Sequence, residues 1–188
     1  MQITVREIEK DAIQHVNQYD SSFSVDSKLV LSAENSKISY TVVELPPYVK
    51  QYQPDEVDYS EYVFNPDKTI FLAYVDNEPA GQIRIMKYWN GFVYIDDVAV
   101  DAKHRRQGIG RLLIQRAIEW ARDKGFPGIM LETQNNNVAA CRLYESCGFE
   151  LGGFDVYLYK GLNRTIDKMH CIGISCSSES SGYKHAED

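Results

Sequence analysis

The sequence predicts a single α/β (α+β) domain in which a mixed, mostly antiparallel central sheet is flanked by helices. Three observations support this class. Strands separated by short turns fill the first half, strands alternate with helices in the second half, and no internal repeat is evident. With 188 residues the chain is long enough for one domain with a substantial core. Its 44% hydrophobic and 25% charged residues are ordinary for a globular protein.

The first half of the chain is expected to be rich in strands. Runs of β-branched and apolar residues predict four of them, at Ile3–Ile8, Tyr40–Leu45, Ile70–Val75 and Ala80–Met86. The segment Lys10–Tyr19 has a weak helical pattern. Pro46 and Pro47 are expected to end the second strand, because proline cannot donate a hydrogen bond to a sheet.

The second half is expected to alternate strands with helices. Phe92–Val100 is an apolar strand after a Trp89-Asn90-Gly91 turn, and Gly128–Glu132 is the next strand. Between them, helical spacing joins the apolar positions Leu113, Ile114, Ala117, Ile118 and Ala121. Gly125 ends that helix. A second helix is predicted at Val138–Cys147 and a further strand at Phe149–Lys160.

A glycine-rich turn opens the first of these helices. It has the pattern Arg-x-x-Gly-x-Gly, formed by Arg105, Arg106, Gln107, Gly108, Ile109 and Gly110, and Arg111 adds further positive charge. The first N–H groups of a helix have no partner within the helix, and the helix dipole favours an anion there. Glycine lets a ligand approach the backbone. The turn therefore predicts a phosphate site, although six such residues alone also fit an ordinary surface turn.

Taken together, these motifs resemble the GNAT superfamily of acetyl-CoA-dependent N-acetyltransferases. The strand, the Arg-x-x-Gly-x-Gly turn, the helix, the next strand, an Asn and a Tyr-x-x-x-Gly-Phe run follow the family's order between Phe71 and Tyr159. A closer resemblance is to the streptothricin (nourseothricin) acetyltransferases. It rests on the segments PPYVKQYQPDE, WNGFVYIDDVAV and MLETQNNNVAACRLYESCGF and on the acidic run between the first two.

The resemblance implies acetyl-CoA as co-substrate and a GNAT fold with two splayed parallel strands at its site. Those strands would be Val98–Val100, including Ala99, and Met130–Glu132. The backbone of Val98 and Val100 would pair with the pantetheine arm like an added strand. Asn137 would hydrogen-bond that arm, and Tyr144 would lie beside it.

Amine acetylation requires a group that removes a proton from the ammonium and a group that protonates the leaving thiolate. By resemblance, Glu132 is the candidate base and Tyr144 the candidate acid, although a strand-end carboxylate and a packing tyrosine are the plainer interpretations. Asp96 and Asp97 compete for the role of base. On an alternating strand they would face opposite sides, unless a bulge breaks the alternation. These two residues and Glu132 are also candidates for binding a cationic substrate.

Acidic residues point to a cationic small molecule as the other substrate. The segment Gln51–Asp67 contains no Lys or Arg and includes Asp55, Glu56 and Asp58, and the chain carries a net charge of −7. A solvated acidic loop is the alternative. Trp89 joins the candidate substrate residues because it lies in a marker shared with the streptothricin enzymes.

Several classes of function are not expected. An acidic chain lacks the basic face that nucleic acid requires, and no apolar run approaches the length of a membrane span or a signal-peptide core. No metal site is predicted, because none of Cys141, Cys147, Cys171 and Cys176 forms a CxxC pair with nearby histidines. A cytoplasmic location follows from the absence of a signal, and a homodimer is left open.

The C-terminal segment departs from the resemblance, which implies a Tyr/Trp-rich last strand. Residues 169–188 read MHCIGISCSSESSGYKHAED. Its segment Met-His-Cys-Ile-Gly-Ile can be encoded as ATG CAT TGT ATT GGT ATC, and these bases, read from the third one, encode Ala-Leu-Tyr-Trp-Tyr. We therefore expect one GNAT domain at 1–168 and an atypical, disordered or frameshifted tail at 169–188, with Met169–Ser175 still available as a poor strand.

The sequence thus predicts an N-acetyltransferase that inactivates streptothricin-class antibiotics by acetylating the β-lysine amine. Two alternatives remain open. One is a GNAT enzyme for protein N-termini or another small amine, and the other is a non-catalytic acyl-CoA-binding module.

Overall fold

A computed structural model describes residues 1–35, 37–52 and 56–157, together with the backbone of a strand at 170–176. One sheet contains seven strands in the order β1-β4-β5-β6-β7-β9-β8, and β2 and β3 form a separate ribbon. The strands are β1 Ile3–Glu7, β2 Phe23–Glu34, β3 Lys37–Lys50, β4 Lys68–Val75, β5 Glu78–Lys87, β6 Val93–Val100, β7 Gly128–Gln134, β8 Glu150–Asp155 and β9 His170–Cys176. The helices are α1 Ile109–Asp123 and α2 Val138–Ser146, and short 3-10 helices span Lys10–His15, Tyr59–Tyr62 and Ala102–His104.

The main core lies between the sheet and α1. Four of the five predicted apolar helix positions are buried there, and Ile118 is partly buried against the same core. Strand β4 is buried on both faces, as its uninterrupted apolar run predicts. Phe71 and Ala73 face α1, whereas Ile70 and Leu72 pack against the 3-10 helices that cover the opposite face. The sheet is therefore the middle layer of the domain.

The two parallel strands separate partway along their length. Strands β6 and β7 pair at Val93–Ile129, Tyr94–Met130 and Ile95–Leu131. Within the described residues their pairing does not continue beyond these positions, so a wedge opens between Asp96–Val100 and Glu132–Gln134. The mixed sheet with a splayed parallel pair is the predicted fold. Met130 and Leu131, however, belong to the paired part, so Glu132 is the residue of the predicted range that lies in the splayed part.

The β2–β3 ribbon corrects the prediction around the prolines. Strand β3 continues through Pro46 and Pro47 to Lys50, and β2 was not predicted at all. The register jumps from Val25–Tyr48 to Ser27–Glu44, so both prolines lie within a bulge of a two-stranded ribbon. Proline is tolerated there because it need not donate to a neighbouring strand.

Two other element predictions differ from the structure. The segment Lys10–Tyr19 forms only a 3-10 helix over Lys10–His15, which is what a weak apolar pattern supports once the segment packs against the sheet. The last predicted strand is shorter, Glu150–Asp155, and residues 158–169 lie outside the described part of the chain. Strand β9 lies between β7 and β8. The remainder of the atypical tail, 177–188, also lies outside the described residues.

Candidate active site

The wedge between β6 and β7 exposes backbone groups of β6. The Asp101 N–H donates to the Ala80 carbonyl at 2.9 Å, and the register continues with Gly81–Val100 and Ile83–Val98. Hydrogen-bonded and non-hydrogen-bonded pairs alternate along an antiparallel ladder, so the last two pairs are of the non-hydrogen-bonded kind. The N–H and C=O groups of Val98 and Val100 therefore point away from β5 and into the wedge. Ala99 directs its backbone groups towards β5 instead.

The glycine-rich turn lies at the mouth of this wedge. Gly108 is the N-cap of α1 and has φ +86°, a left-handed conformation that favours glycine. A Cβ built on Gly108 would have no heavy atom within 4 Å. Gly108, Arg106 and Gln107 are exposed. The turn thus presents an open, positively charged helix N-terminus, which suits a diphosphate.

The neighbouring residues of the turn have structural partners. The Arg105 Nε donates to the Val100 carbonyl at 3.1 Å. Arg111 donates to the Ser146 carbonyl and to the Ser146 Oγ, both at 2.8 Å, and so binds the C-terminal end of α2. A Cβ on Gly110 would lie 2.9 Å from Leu143 Cδ2, so this glycine allows α1 to approach α2. Gly108 therefore leaves room for a ligand, as expected, whereas Gly110 lets the two helices approach each other.

A β-bulge places Asp96 and Asp97 on the same side of the sheet. The register passes from Arg84–Asp97 directly to Ile85–Ile95, which leaves Asp96 as the extra residue. The Arg84 Nε donates to Asp96 Oδ2 at 2.5 Å, and the Gln82 Nε2 donates to Asp97 Oδ2 at 2.6 Å. Arg84 and Gln82 alternate on β5 and so share one face. The bulge alternative that the sequence left open is the one that the structure contains.

Tyr144 is buried on α2, at 8% exposure, and packs against Phe149 with ring centroids 5.8 Å apart. Burial raises the pKa of its phenol above the ordinary value of 10.0, and the negative charge of Asp97 raises the pKa further. Tyr144 therefore remains protonated over the working range of pH. Glu132 lies on β7, just beyond the last residue that pairs with β6, and is partly buried. It therefore lines the wedge from the β7 side, across from Asp96 and Asp97 on β6.

The β2–β3 ribbon closes over the end of β7 through contacts that the sequence did not predict. Leu29 and Asn135 exchange hydrogen bonds at 2.8 and 2.9 Å. Asn136 donates to the Tyr48 hydroxyl at 2.8 Å. The Lys50 ammonium contacts Gln134 and lies over the Tyr52 ring, 4.6 Å from its centroid. The only available signal was the Asn-rich run itself, which predicts turns but not their partners.

Asn137 has a structural role at the beginning of α2. It is the N-cap of that helix, and its Oδ1 accepts from the Ala140 N–H at 3.3 Å. Burial raises the pKa of the nearby Tyr52 hydroxyl to about 12, and the Asn137 side chain opposes that shift. The predicted contact of Asn137 with the pantetheine arm stays a prediction.

The described residues 57–63 of the acidic segment pack on the face of the sheet opposite α1. Asp58 caps the second 3-10 helix by accepting from the Ser60 N–H at 2.9 Å, and these hydrogen bonds lower the pKa of Asp58. Glu61 forms an ion pair with Lys68 at 2.5 Å. Glu56 is exposed, and Asp55 lies outside the described residues. Trp89 is 85% exposed in the turn between β5 and β6.

Two general properties of the described residues bear on the site. Among them, no group of three His, Cys, Asp or Glu side chains is placed to hold a metal ion. No helix in this part of the chain is long and apolar enough to cross a membrane.

The fold, the wedge and the glycine-rich turn are those of an acetyltransferase. The acetyltransferase (GNAT) family matches residues 38–149, more than half of the chain, and the chain belongs to that family. It is therefore an N-acetyltransferase that uses acetyl-CoA.

Individual relatives narrow the comparison. Streptothricin acetyltransferase A of Bacillus subtilis (strain 168) is 40% identical over 144 residues, which cover 76% of this chain and 83% of that protein. A protein of Bacillus anthracis str. Ames, designated a streptothricin acetyltransferase and solved in complex with acetyl coenzyme A, has a TM-score of 0.87 and 43% identity over 94% of this chain and 99% of that one. A nourseothricin acetyltransferase structure has a TM-score of 0.77 and 28% identity, covering 93% and 98%.

Proposed function

We propose that this enzyme acetylates streptothricin-class antibiotics at the β-lysine amine and so inactivates them in the cytoplasm, where acetyl-CoA is available. The observation that supports this most strongly is the 40% identity to a streptothricin acetyltransferase over most of both chains. The acidic surroundings of the wedge support the same substrate class, because streptothricin is a polycation.

The residues present fit acetyl-CoA. Gly108, with open space at its Cβ position, and the exposed Arg106 would receive the diphosphate. The outward-facing backbone of Val98 and Val100 would pair with the pantetheine amides. When bound, acetyl-CoA supplies an activated acyl group as a thioester.

The side chains around the wedge would manage the protons. In the net reaction an ammonium and acetyl-CoA give an amide, the CoA thiol and one proton. We propose that Glu132 takes a proton from the ammonium, so that the neutral nitrogen bonds to the thioester carbon. The C–S bond breaks and the sulfur takes a proton from Tyr144. The second proton of the nitrogen then restores the Tyr144 phenol, and Glu132 releases the first proton to water. Burial keeps Tyr144 protonated, as this role requires. Asp96 is a weaker candidate for the base because Arg84 neutralises it.

The acidic segment gives the substrate proposal an electrostatic test. Raising the salt concentration should raise the streptothricin KM more than it changes kcat, because surface fields are screened over roughly 8–10 Å at physiological ionic strength. Replacing Asp55, Glu56 and Asp58 by their amides should copy that effect at low salt. Asp58→Asn retains a capping residue for the 3-10 helix.

A matched control removes three acids elsewhere. Neutralising Glu78, Glu119 and Asp123, at the β4–β5 turn and on α1, changes the net charge equally and should affect the KM less. Equal effects of the two triple variants would show that total charge, and not this segment, attracts the substrate.

Substrate choice is tested by measuring thiol release from acetyl-CoA with a panel that contains streptothricin, free lysine and N-terminal peptides. The proposal expects the largest kcat/KM for streptothricin. Preference for a peptide would instead support an N-terminal acetyltransferase, and binding of acetyl-CoA without turnover of any amine would support a non-catalytic module.

A further inference from the structure

Gln82 is a buried amide in the centre of the sheet. It lies on β5 and is 1% exposed. Burying an amide is unfavourable unless its polar atoms are paired, by roughly 1–3 kcal/mol for an unmade hydrogen bond. An apolar residue would satisfy the fold at this position, between Gly81 and Ile83. The partners of Gln82 therefore indicate its role.

The orientation of the Gln82 amide is determined by its partners. Its Oε1 accepts from the backbone N–H of Asn17 at 3.0 Å, and a backbone N–H can only donate. The amide nitrogen must then face the other side, where it donates to Asn17 Oδ1 at 2.7 Å and to Asp97 Oδ2 at 2.6 Å. The amide cannot turn over without placing its oxygen against the Asp97 carboxylate.

Asn17 is itself fixed in place. Its φ of 60° is left-handed, a conformation that Asn tolerates better than most residues. Its Nδ2 donates to the Tyr59 hydroxyl at 2.8 Å. A chain of hydrogen bonds thus runs from Tyr59 through Asn17 and Gln82 to Asp97. It joins the second 3-10 helix and the turn that follows the first one to β6.

This chain ends at the wedge. Asp97 follows the bulge on β6, where β7 has already diverged. The charge of Asp97 also raises the pKa of Tyr144, which belongs to α2 on the other side of the sheet. The carboxylate is therefore within electrostatic reach of the proposed acid.

We propose that Gln82, oriented by Asn17, is a positioning residue that holds the Asp97 carboxylate to bind the ammonium of the acceptor substrate. This inference rests on the proposed function, because it assigns the ammonium that is bound to the amine that is acetylated. It adds a role in substrate recognition for Gln82 and Asn17, which are far apart in sequence and lie outside the GNAT motifs of this chain.

A double-mutant cycle tests whether Gln82 acts through Asp97. The Kd for streptothricin is measured by calorimetry with CoA bound, for Gln82→Leu, Asp97→Asn and the double variant. A charge-assisted hydrogen bond predicts a roughly 10- to 100-fold weaker Kd for Asp97→Asn. Gln82→Leu should weaken binding about 10-fold alone but add nothing to Asp97→Asn. Acetyl-CoA affinity should stay unchanged in all three.

A purely structural Gln82 gives a different result. Its effect would then multiply with that of Asp97→Asn, or the folded Gln82→Leu variant would bind streptothricin like wild type, and either outcome overturns the inference. Thr69→Val is the matched control, because Thr69 is also fully buried but donates to Glu7, at 2.9 Å, away from the wedge. It should lower stability without changing the Kd.

A second variant covers a failure of Gln82→Leu to fold. Asn17→Gly keeps the left-handed backbone and its N–H but removes Oδ1, so it should weaken streptothricin binding in wild type and not in Asp97→Asn. Binding through Asp97 without acetylation would refute the proposed function, and with it the assignment of the bound ammonium to the acetylated amine, but would keep the role of Gln82 in positioning Asp97 for an ammonium. Absence of any streptothricin binding would refute both.

Discussion

The proposed phosphate-binding role of Gly108 can be separated from its structural role by comparing two glycines. Gly108 and Gly125 lie at opposite ends of α1 and have φ values of +86° and +74°. A Cβ built on either meets no heavy atom within 4 Å, so neither substitution creates a clash within the protein. Backbone strain in the left-handed region costs about 1–2 kcal/mol for a residue other than glycine. In a domain of this size each kcal/mol lowers Tm by about 2–4 °C.

Because the two glycines have similar conformations and similar free space, matched substitutions should cost similar stability. Gly108→Val and Gly125→Val should lower Tm similarly, by roughly 2–8 °C. Gly108→Asn should lower Tm less, because Asn tolerates the left-handed conformation. Only the Gly108 variants place a side chain at the open N-terminus of α1, so only they should weaken acetyl-CoA binding, by at least about 10-fold or 1.4 kcal/mol. Calorimetry with acetyl-CoA and thermal unfolding measure both effects. Equal acetyl-CoA Kd values for folded Gly108→Val and Gly125→Val would refute the phosphate assignment.

Three further predictions concern the wedge and the last strand. Glu132→Gln should lower kcat by about 10²–10⁴ without changing acetyl-CoA affinity; a nearly neutral Glu132→Gln beside an inactive, folded Asp96→Asn would move the base to β6. Tyr144→Phe should lower kcat and make the protein less sensitive to alkaline unfolding. Below pH 10 the Tyr144 phenol is protonated in the folded and the unfolded protein, whereas above pH 10 it ionises only in the unfolded protein. The free energy of unfolding of wild type should therefore fall by about 1.4 kcal/mol per pH unit more than that of the variant. Denaturant titrations at pH 8 and pH 11 that show equal losses would contradict this. Truncation after Gly173 should lower Tm, because it removes the β9 residues paired with Gly128–Met130, whereas truncation after Cys176 should retain the strand; equal Tm values would show that the end of β9 contributes nothing.

The sequence predicted the half of the fold that local patterns determine. Helix α1 is predicted by its apolar spacing and its terminal glycines, and β4 is predicted by an uninterrupted apolar run. The β2–β3 ribbon was missed because Pro46 and Pro47 are strong local signals against a strand. The two prolines are tolerated because they lie in a bulge between β2 and β3, and that bulge depends on how the two strands pair.

The site shows the same division between local and long-range information. The turn around Gly108 and the positions of Tyr144 and Glu132 follow from motifs in the chain. The bulge at Asp96 was left open, since alternation alone cannot show where a register shifts. The link between Gln82 and Asp97 could not be predicted, because it depends on the pairing of β5 with β6 and on a loop more than sixty residues away, at Asn17. Gln82 and Arg84 alternating inside an apolar strand were the available signal.

Product analysis tests the central claim most directly. Purified enzyme is incubated with acetyl-CoA and streptothricin, and the antibiotic is examined by mass spectrometry with fragmentation. We predict a mass increase of one acetyl group, located on the β-lysine side chain, with one CoA thiol released per acetylated molecule. At limiting acetyl-CoA the Gly108→Val variant should form product at least about 10-fold more slowly. Unmodified streptothricin in a reaction where the same enzyme acetylates a peptide or another amine would contradict the account.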